Sequence, residues 1–129
     1  AACLRIKLGR LDAWNARRRE QAGQYQALLA TCGLTLPQTA EWTEPAWHHF
    51  VVRSPQRDCL RAKLLGAGVE TLIHYPRPPH LQGAYAGLGF GPGAFPLAEQ
   101  FAADVLSLPI GWGFDIAAVA RAVVTAAND

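Results

Sequence analysis

From about Ala2 to Cys32 the chain repeats apolar side chains at Leu4, Leu8, Leu11, Trp14, Ala22, Tyr25 and Leu29, mostly three or four residues apart. Arg17, Arg18, Arg19 and Glu20 fall between them. The spacing predicts one long amphipathic helix, closed at Gly33, where glycine takes a left-handed C-cap without a Cβ penalty. Gly9 and Gly23 are tolerated weak points within it. A helix that occupies roughly a quarter of 129 residues must bury its stripe against another layer, so the rest of the chain has to supply one.

The expected layer is a small sheet with further helices. After a connector from Leu34 to Glu44, Trp47 to Arg53 is dense in aromatic and β-branched residues and reads as a strand. Ser54-Pro55 then starts a helix over Arg57 to Leu65 that stops at Gly66 and Gly68. Val69 to His74 alternates as a second strand, with Val69, Thr71 and Ile73 on one face. A helical turn over Leu81 to Ala86 precedes a glycine-rich stretch, Gly87 to Gly93. A helix from Phe95-Pro96 through Leu106 places Leu97, Phe101 and Val105 together, Ser107 to Ile110 makes a short edge strand, and a last helix runs from about Asp115, its N-cap, to Ala127. The fold class is α+β: a small antiparallel or mixed sheet covered by helices. Residues 1–33 form a long linker helix, and residues 34–129 form the α+β unit.

A chain of this length buries about two thirds of its unfolded surface, so no metal or disulfide is needed to hold it. Cys3, Cys32 and Cys59 are odd in number and widely spaced, which suggests neither a disulfide framework nor a zinc site, and they are expected to be reduced and structural. A net charge of +2 gives no support to nucleic-acid or membrane partners, and no apolar run is long enough to span a bilayer. With no signal-peptide pattern at its start, the chain is expected to be cytoplasmic. It contains no methionine and begins inside the first helix, as a fragment or a processed product would.

Chemistry is narrowed by elimination. There is no Gly-x-Ser-x-Gly, and Ser54 and Ser107 both precede prolines, where capping and strand termination explain them. The glycines at 87, 89, 91 and 93 lack the spacing and the preceding strand of a phosphate loop and read as a turn. His48 and His49 point to opposite faces if they lie on a strand, and no carboxylate or thiolate accompanies the histidines at metal-ligand spacing. Arg17, Arg18 and Arg19 fan over about 200° of a helix, so they read as a solvated face with ion pairs to Glu20 and Asp12. The run Ile73-His74-Tyr75-Pro76-Arg77-Pro78-Pro79-His80 is different. Prolines stiffen the backbone exactly where polar side chains leave a strand end, which reduces the entropy lost on gripping a ligand. From pattern alone, His74 and Tyr75 suit a rigid turn and a presented site equally well.

The blocks Leu4-Arg5-x-Lys7-Leu8, Leu11-Asp12-x-Trp14-Asn15-x-Arg17-Arg18 and Ala22-x-x-Tyr25 resemble the helix that joins large and small domains in the DegT/DnrJ/StrS family of nucleotide-sugar aminotransferases. The resemblance continues through Trp47-His48-x-Phe50-Val51-Val52-Arg53, Gly68-Val69-Glu70-Thr71-x-Ile73-His74-Tyr75-Pro76-x-Pro78-x-His80, Phe95-Pro96-x-Ala98-Glu99 and Leu106-Ser107-Leu108-Pro109. In order and spacing these are similar to that family's C-terminal blocks, and they cover nearly the whole chain.

The resemblance implies a C-terminal small domain of the aspartate-aminotransferase superfamily. Its parent enzyme would use pyridoxal phosphate to move an amino group from glutamate to a keto sugar attached to a nucleotide. Lys7 and Lys63 are the chain's lysines and match no cofactor-lysine motif, so the chain is expected to hold no cofactor and to be inactive alone. Its partners would be the missing large domain, a nucleotide-sugar substrate and further copies of itself. By resemblance His74 and Tyr75 lie at the substrate mouth, with Arg77 as a further diphosphate contact outside the family motif. His80, Glu99 and Arg53 read as loop-fixing or structural groups. The alternative is a free-standing, non-catalytic binding module derived from that domain, which acts through its first helix.

Overall fold

The N-terminal periodicity folds as two helices, not one. In the computed structural model, which describes residues 1–128, α1 spans Ala2–Leu8 and α2 spans Leu11–Leu28. Gly9 ends α1, and α2 ends well before Gly33, which takes its left-handed turn (φ 77°) in the following loop. The two helices also differ in what they bury. No residue of α1 is buried, whereas Gln21, Ala22 and Tyr25 of α2 are, and Leu29 follows them into the core.

The architecture is α+β. After the connector come β1 (Phe50–Arg53), α3 (Arg57–Gly66), two 3-10 turns (Pro79–Leu81 and Gly83–Leu88), α4 (Pro96–Asp104), β2 (Val105–Leu108) and α5 (Ile116–Asn128). The predicted unit 34–129 ends at Asp129, outside the described residues. β1 and β2 pair antiparallel, with Phe50 opposite Leu108 and Val52 opposite Leu106. Phe50, Val52 and Leu106 point into a core completed by Tyr25 and Leu29, Leu64 of α3 and Val123 of α5, all sealed from solvent. Each such side chain contributes about 1.5–3 kcal/mol on burial. Helices α2 and α3 both pack on α5.

Polar clamps connect these layers. The Gln21 amide donates to the Gly111 carbonyl (2.9 Å) and accepts from its N–H (2.8 Å), and the Tyr25 hydroxyl donates to the Pro109 carbonyl at 2.6 Å. Burial pushes the Tyr25 pKa well above its ordinary value, so it stays a donor. Asp115 Oδ1 accepts from Ala118 N–H at 3.0 Å, as expected of the cap of α5.

Four expectations are corrected. The predicted strand from Trp47 starts only at Phe50, because Trp47 has a positive φ (50°) and turns the chain. The predicted helix through Leu106 stops at Asp104. There the Arg57 guanidinium takes the Ala102 and Val105 carbonyls (3.1 Å each) and Ser54 N–H takes that of Asp104 (2.9 Å), so the helix end is satisfied and Val105 to Leu108 join the ladder. That strand therefore spans Val105–Leu108 in place of the predicted 107–110, and with β1 on one side and the Leu72 bridge on the other it is not an edge strand. The predicted strand Val69–His74 keeps its alternation, with Thr71 buried and Leu72 exposed, but it meets the sheet at one bridge, Leu72 opposite Ser107.

On the surface, Arg19 pairs with Glu44 (2.7 Å) and Arg17 lies over the Trp112 ring (4.6 Å), in place of the predicted pairs with Glu20 and Asp12. All three cysteines are free, but only Cys32 is buried, so a structural role for Cys3 and Cys59 does not hold.

Candidate functional site

The site forms where the segment before β1 and the segment after α3 meet over β2. Gly68 (φ 79°) terminates α3: its N–H donates to the Leu65 carbonyl (3.0 Å), and the next N–H, that of Val69, donates to Leu64 (2.8 Å). This reverses the chain toward β2, where Leu72 and Ser107 exchange both backbone hydrogen bonds (3.2 and 2.8 Å). His74 follows, and its Nδ1 lies 2.9 Å from Ser107 Oγ.

Three imidazoles then run in series. The His49 ring stacks on His74 (centroids 4.1 Å, 23° between planes), and His48 lies 4.2 Å from His49. The predicted separation of His48 and His49 onto opposite faces fails because both precede the strand. Both are exposed. Desolvation, then the neighbouring His74 and His48, hold the His49 pKa below its ordinary 6.5. His49 is thus a neutral hydrogen-bonding and stacking group at neutral pH.

These rings open onto a cleft of about 500 Å³ that is also lined by Arg61, Glu70 and Ser107 among apolar side chains. Arg61 and Glu70 are of opposite sign, so the cleft suits a polar ligand held by neutral donors and acceptors better than one gripped by net charge. Thr71 also lines it, and its buried hydroxyl has no partner among the described residues.

The other predicted site residues are spread along the loop. Tyr75 is 70% exposed and meets His74 edge-on (5.6 Å, 89°), across a peptide bond that is cis. Arg77 is exposed and does not line the cleft; its carbonyl accepts from the Gln82 amide at 3.1 Å. His80 Nε2 lies 3.0 Å from Glu99 Oε1, and Glu99 also accepts from Gly93 N–H (2.8 and 3.0 Å) and Phe95 N–H (3.4 Å). Desolvation opposes the Glu99 charge, but these hydrogen bonds outweigh it and hold its pKa below the ordinary value. This pair ties the loop to α4. Arg53 likewise grips Asp104 through Nε (3.1 Å) and Nη2 (2.7 Å). His49 and Ser107 are functional candidates that the sequence pattern did not single out.

No group of three histidine, cysteine or acidic side chains among the described residues is placed to hold a metal. The fit to pyridoxal phosphate is also negative. Lys63 Nζ donates to the Ala126 carbonyl (3.4 Å) and Lys7 lies on the exposed α1, so neither lysine faces the imidazole cleft. The described residues offer no Schiff-base nucleophile beside it.

Residues 1–126 match the DegT/DnrJ/EryC1/StrS aminotransferase family. Over 112 residues the chain is 57% identical to the erythromycin biosynthesis sensory transduction protein EryC1 of Saccharopolyspora erythraea, covering 86% of this chain and 31% of that protein. It is 53% identical over 112 residues to a dTDP-3-amino-3,4,6-trideoxy-alpha-D-glucose transaminase of Streptomyces venezuelae, covering 86% and 30%. The crystal structure of S. venezuelae DesV in complex with a ketimine intermediate superposes with a TM-score of 0.88 at 48% identity, over 97% of this chain and 34% of that one. The chain thus spans about a third of the length of the curated relatives it matches.

Proposed function

The chain belongs to the DegT/DnrJ/EryC1/StrS aminotransferase family, and from that premise we propose that it is the C-terminal part of a pyridoxal-phosphate-dependent nucleotide-sugar aminotransferase. In this reading residues 1–33 form the connection to a large domain, residues 34–129 form the small domain, and the protein works in the cytoplasm as a homo-oligomer. The observation that carries the reading is the match itself: 86% of this chain at 53% identity to a dTDP-sugar transaminase, against 30% of that protein's length. In this reading the Schiff-base lysine belongs to the large domain.

The contribution of this part is to the substrate. His74 faces the cleft with Nδ1 engaged by Ser107, so Nε2 is the nitrogen left for a sugar hydroxyl or a diphosphate oxygen. Tyr75 presents its phenol beside it. Arg77 stands outside the cleft and would reach only a ligand that extends along the loop. Neutral donors suit such a ligand because they need no buried, unpaired charge.

The test is His74→Ala in the longer enzyme. Loss of one ligand hydrogen bond should raise KM for the nucleotide sugar by about tenfold, with the cofactor absorbance unchanged. Loss of cofactor in step with substrate would make His74 a structural residue and overturn the assignment.

A further inference from the structure

Ser107 stands at the single bridge between the 69–74 segment and the sheet. Leu72 and Ser107 exchange both backbone hydrogen bonds, so they are directly opposite, and their side chains leave the sheet on the same face as that of His74, two residues on. Register alone therefore brings the hydroxyl to the imidazole, at 2.9 Å. Ser107 is 6% exposed, so bulk water competes little for that bond. His49 stacks on the face of the same ring at 4.1 Å. One constraint acts in the ring plane and one acts across it, which together leave the imidazole a single orientation.

We propose that Ser107 is a positioning residue: by donating its hydroxyl hydrogen to His74 Nδ1 it selects the tautomer protonated on Nε2, and so presents a neutral donor to an oxygen of the nucleotide sugar. The proposal rests on the substrate-side reading of His74. A carboxylate at position 107 could only accept from Nδ1–H and would select the other tautomer; a hydroxyl can donate to Nδ1 and leave the form protonated on Nε2. That is the state suited to a polyol or to an already neutralised diphosphate.

The ring can be read without substrate. Long-range proton–nitrogen correlation spectra of the chain labelled with 15N-histidine should place the His74 hydrogen on Nε2. Ser107→Ala should shift the tautomer ratio toward Nδ1–H by about fivefold, the worth of one neutral hydrogen bond, and Ser107→Thr should restore it. A wild-type ring protonated on Nδ1 overturns the proposal even if Ser107→Ala fails to fold, and so does an unchanged ratio in a folded Ser107→Ala. In the longer enzyme Ser107→Ala should raise KM for the nucleotide sugar by about fivefold with little change in kcat. An unmoved KM there, with a raised one in His74→Ala, also overturns it. His74→Ala without effect on KM removes the substrate-side reading instead and leaves the ring result standing, so the two failures are distinct.

Discussion

His49, although exposed, is held neutral by local desolvation under the neighbouring rings and by two other imidazoles, and this has a consequence for folding. In the unfolded chain it takes up a proton near its ordinary pKa of 6.5, whereas in the folded chain it does so only at lower pH. Below that ordinary value the unfolded state binds more protons, so this contribution to stability is present above pH 6.5 and is lost as pH falls. The thermal midpoint should therefore drop between about pH 7 and pH 5, and His49→Gln, which cannot titrate, should flatten part of that slope. Equal slopes in the two proteins would contradict the coupling. The residues involved show what the sequence makes legible. His74 stands out because its signal is local, a strand end followed by prolines. Ser107 lies 33 residues further on, and only the Leu72 bridge reveals that they meet. Arg77 has the charge that suits a diphosphate, yet the loop carries it away from the cleft.

Elements with local stop signals were equally legible. Helix α3 ends at Gly66 as expected, because Gly68 supplies the left-handed residue that closes its last turn. Strand β2 was displaced because its start depends on Arg57 and Ser54, nearly fifty residues earlier, satisfying the end of α4. A pair of glycine substitutions separates the two glycine roles. Gly68→Ala forces a side chain into the left-handed region (φ 79°) and should destabilise by about 1–2 kcal/mol. Gly23 lies exposed within α2, and a Cβ there meets nothing within 4 Å. Gly23→Ala should stabilise by about 1 kcal/mol through helix propensity and a less flexible unfolded chain. Denaturant midpoints with unchanged slopes would measure both, and a shift of the same sign in the two variants would refute the distinction.

Across the whole molecule, the apolar surface is unevenly finished. The core joins α2, α3, α5 and the sheet, whereas α1 leaves Leu4 (70%), Ile6 (75%) and Leu8 (67%) to solvent. Helix α1 has seven residues, none of them buried. Helices shorter than about 12–15 residues are marginal in water without packing, because nucleation fixes several residues for few hydrogen bonds. Its helical state therefore needs a partner surface for the face that carries Leu4 and Leu8, one turn apart, with Leu11 beyond them. In the proposed enzyme the large domain would supply one, and in the isolated chain a second copy is the available apolar surface. The chain alone should accordingly self-associate, with sedimentation mass and helical circular dichroism rising together with concentration. Replacing Leu4 and Leu8 together by glutamate should abolish both rises while leaving the thermal midpoint of the core unchanged, since neither side chain is part of it. A monomer at every concentration whose α1 amides are nonetheless protected from hydrogen exchange would show that α1 is stable unaided, and would defeat this account of the exposed stripe.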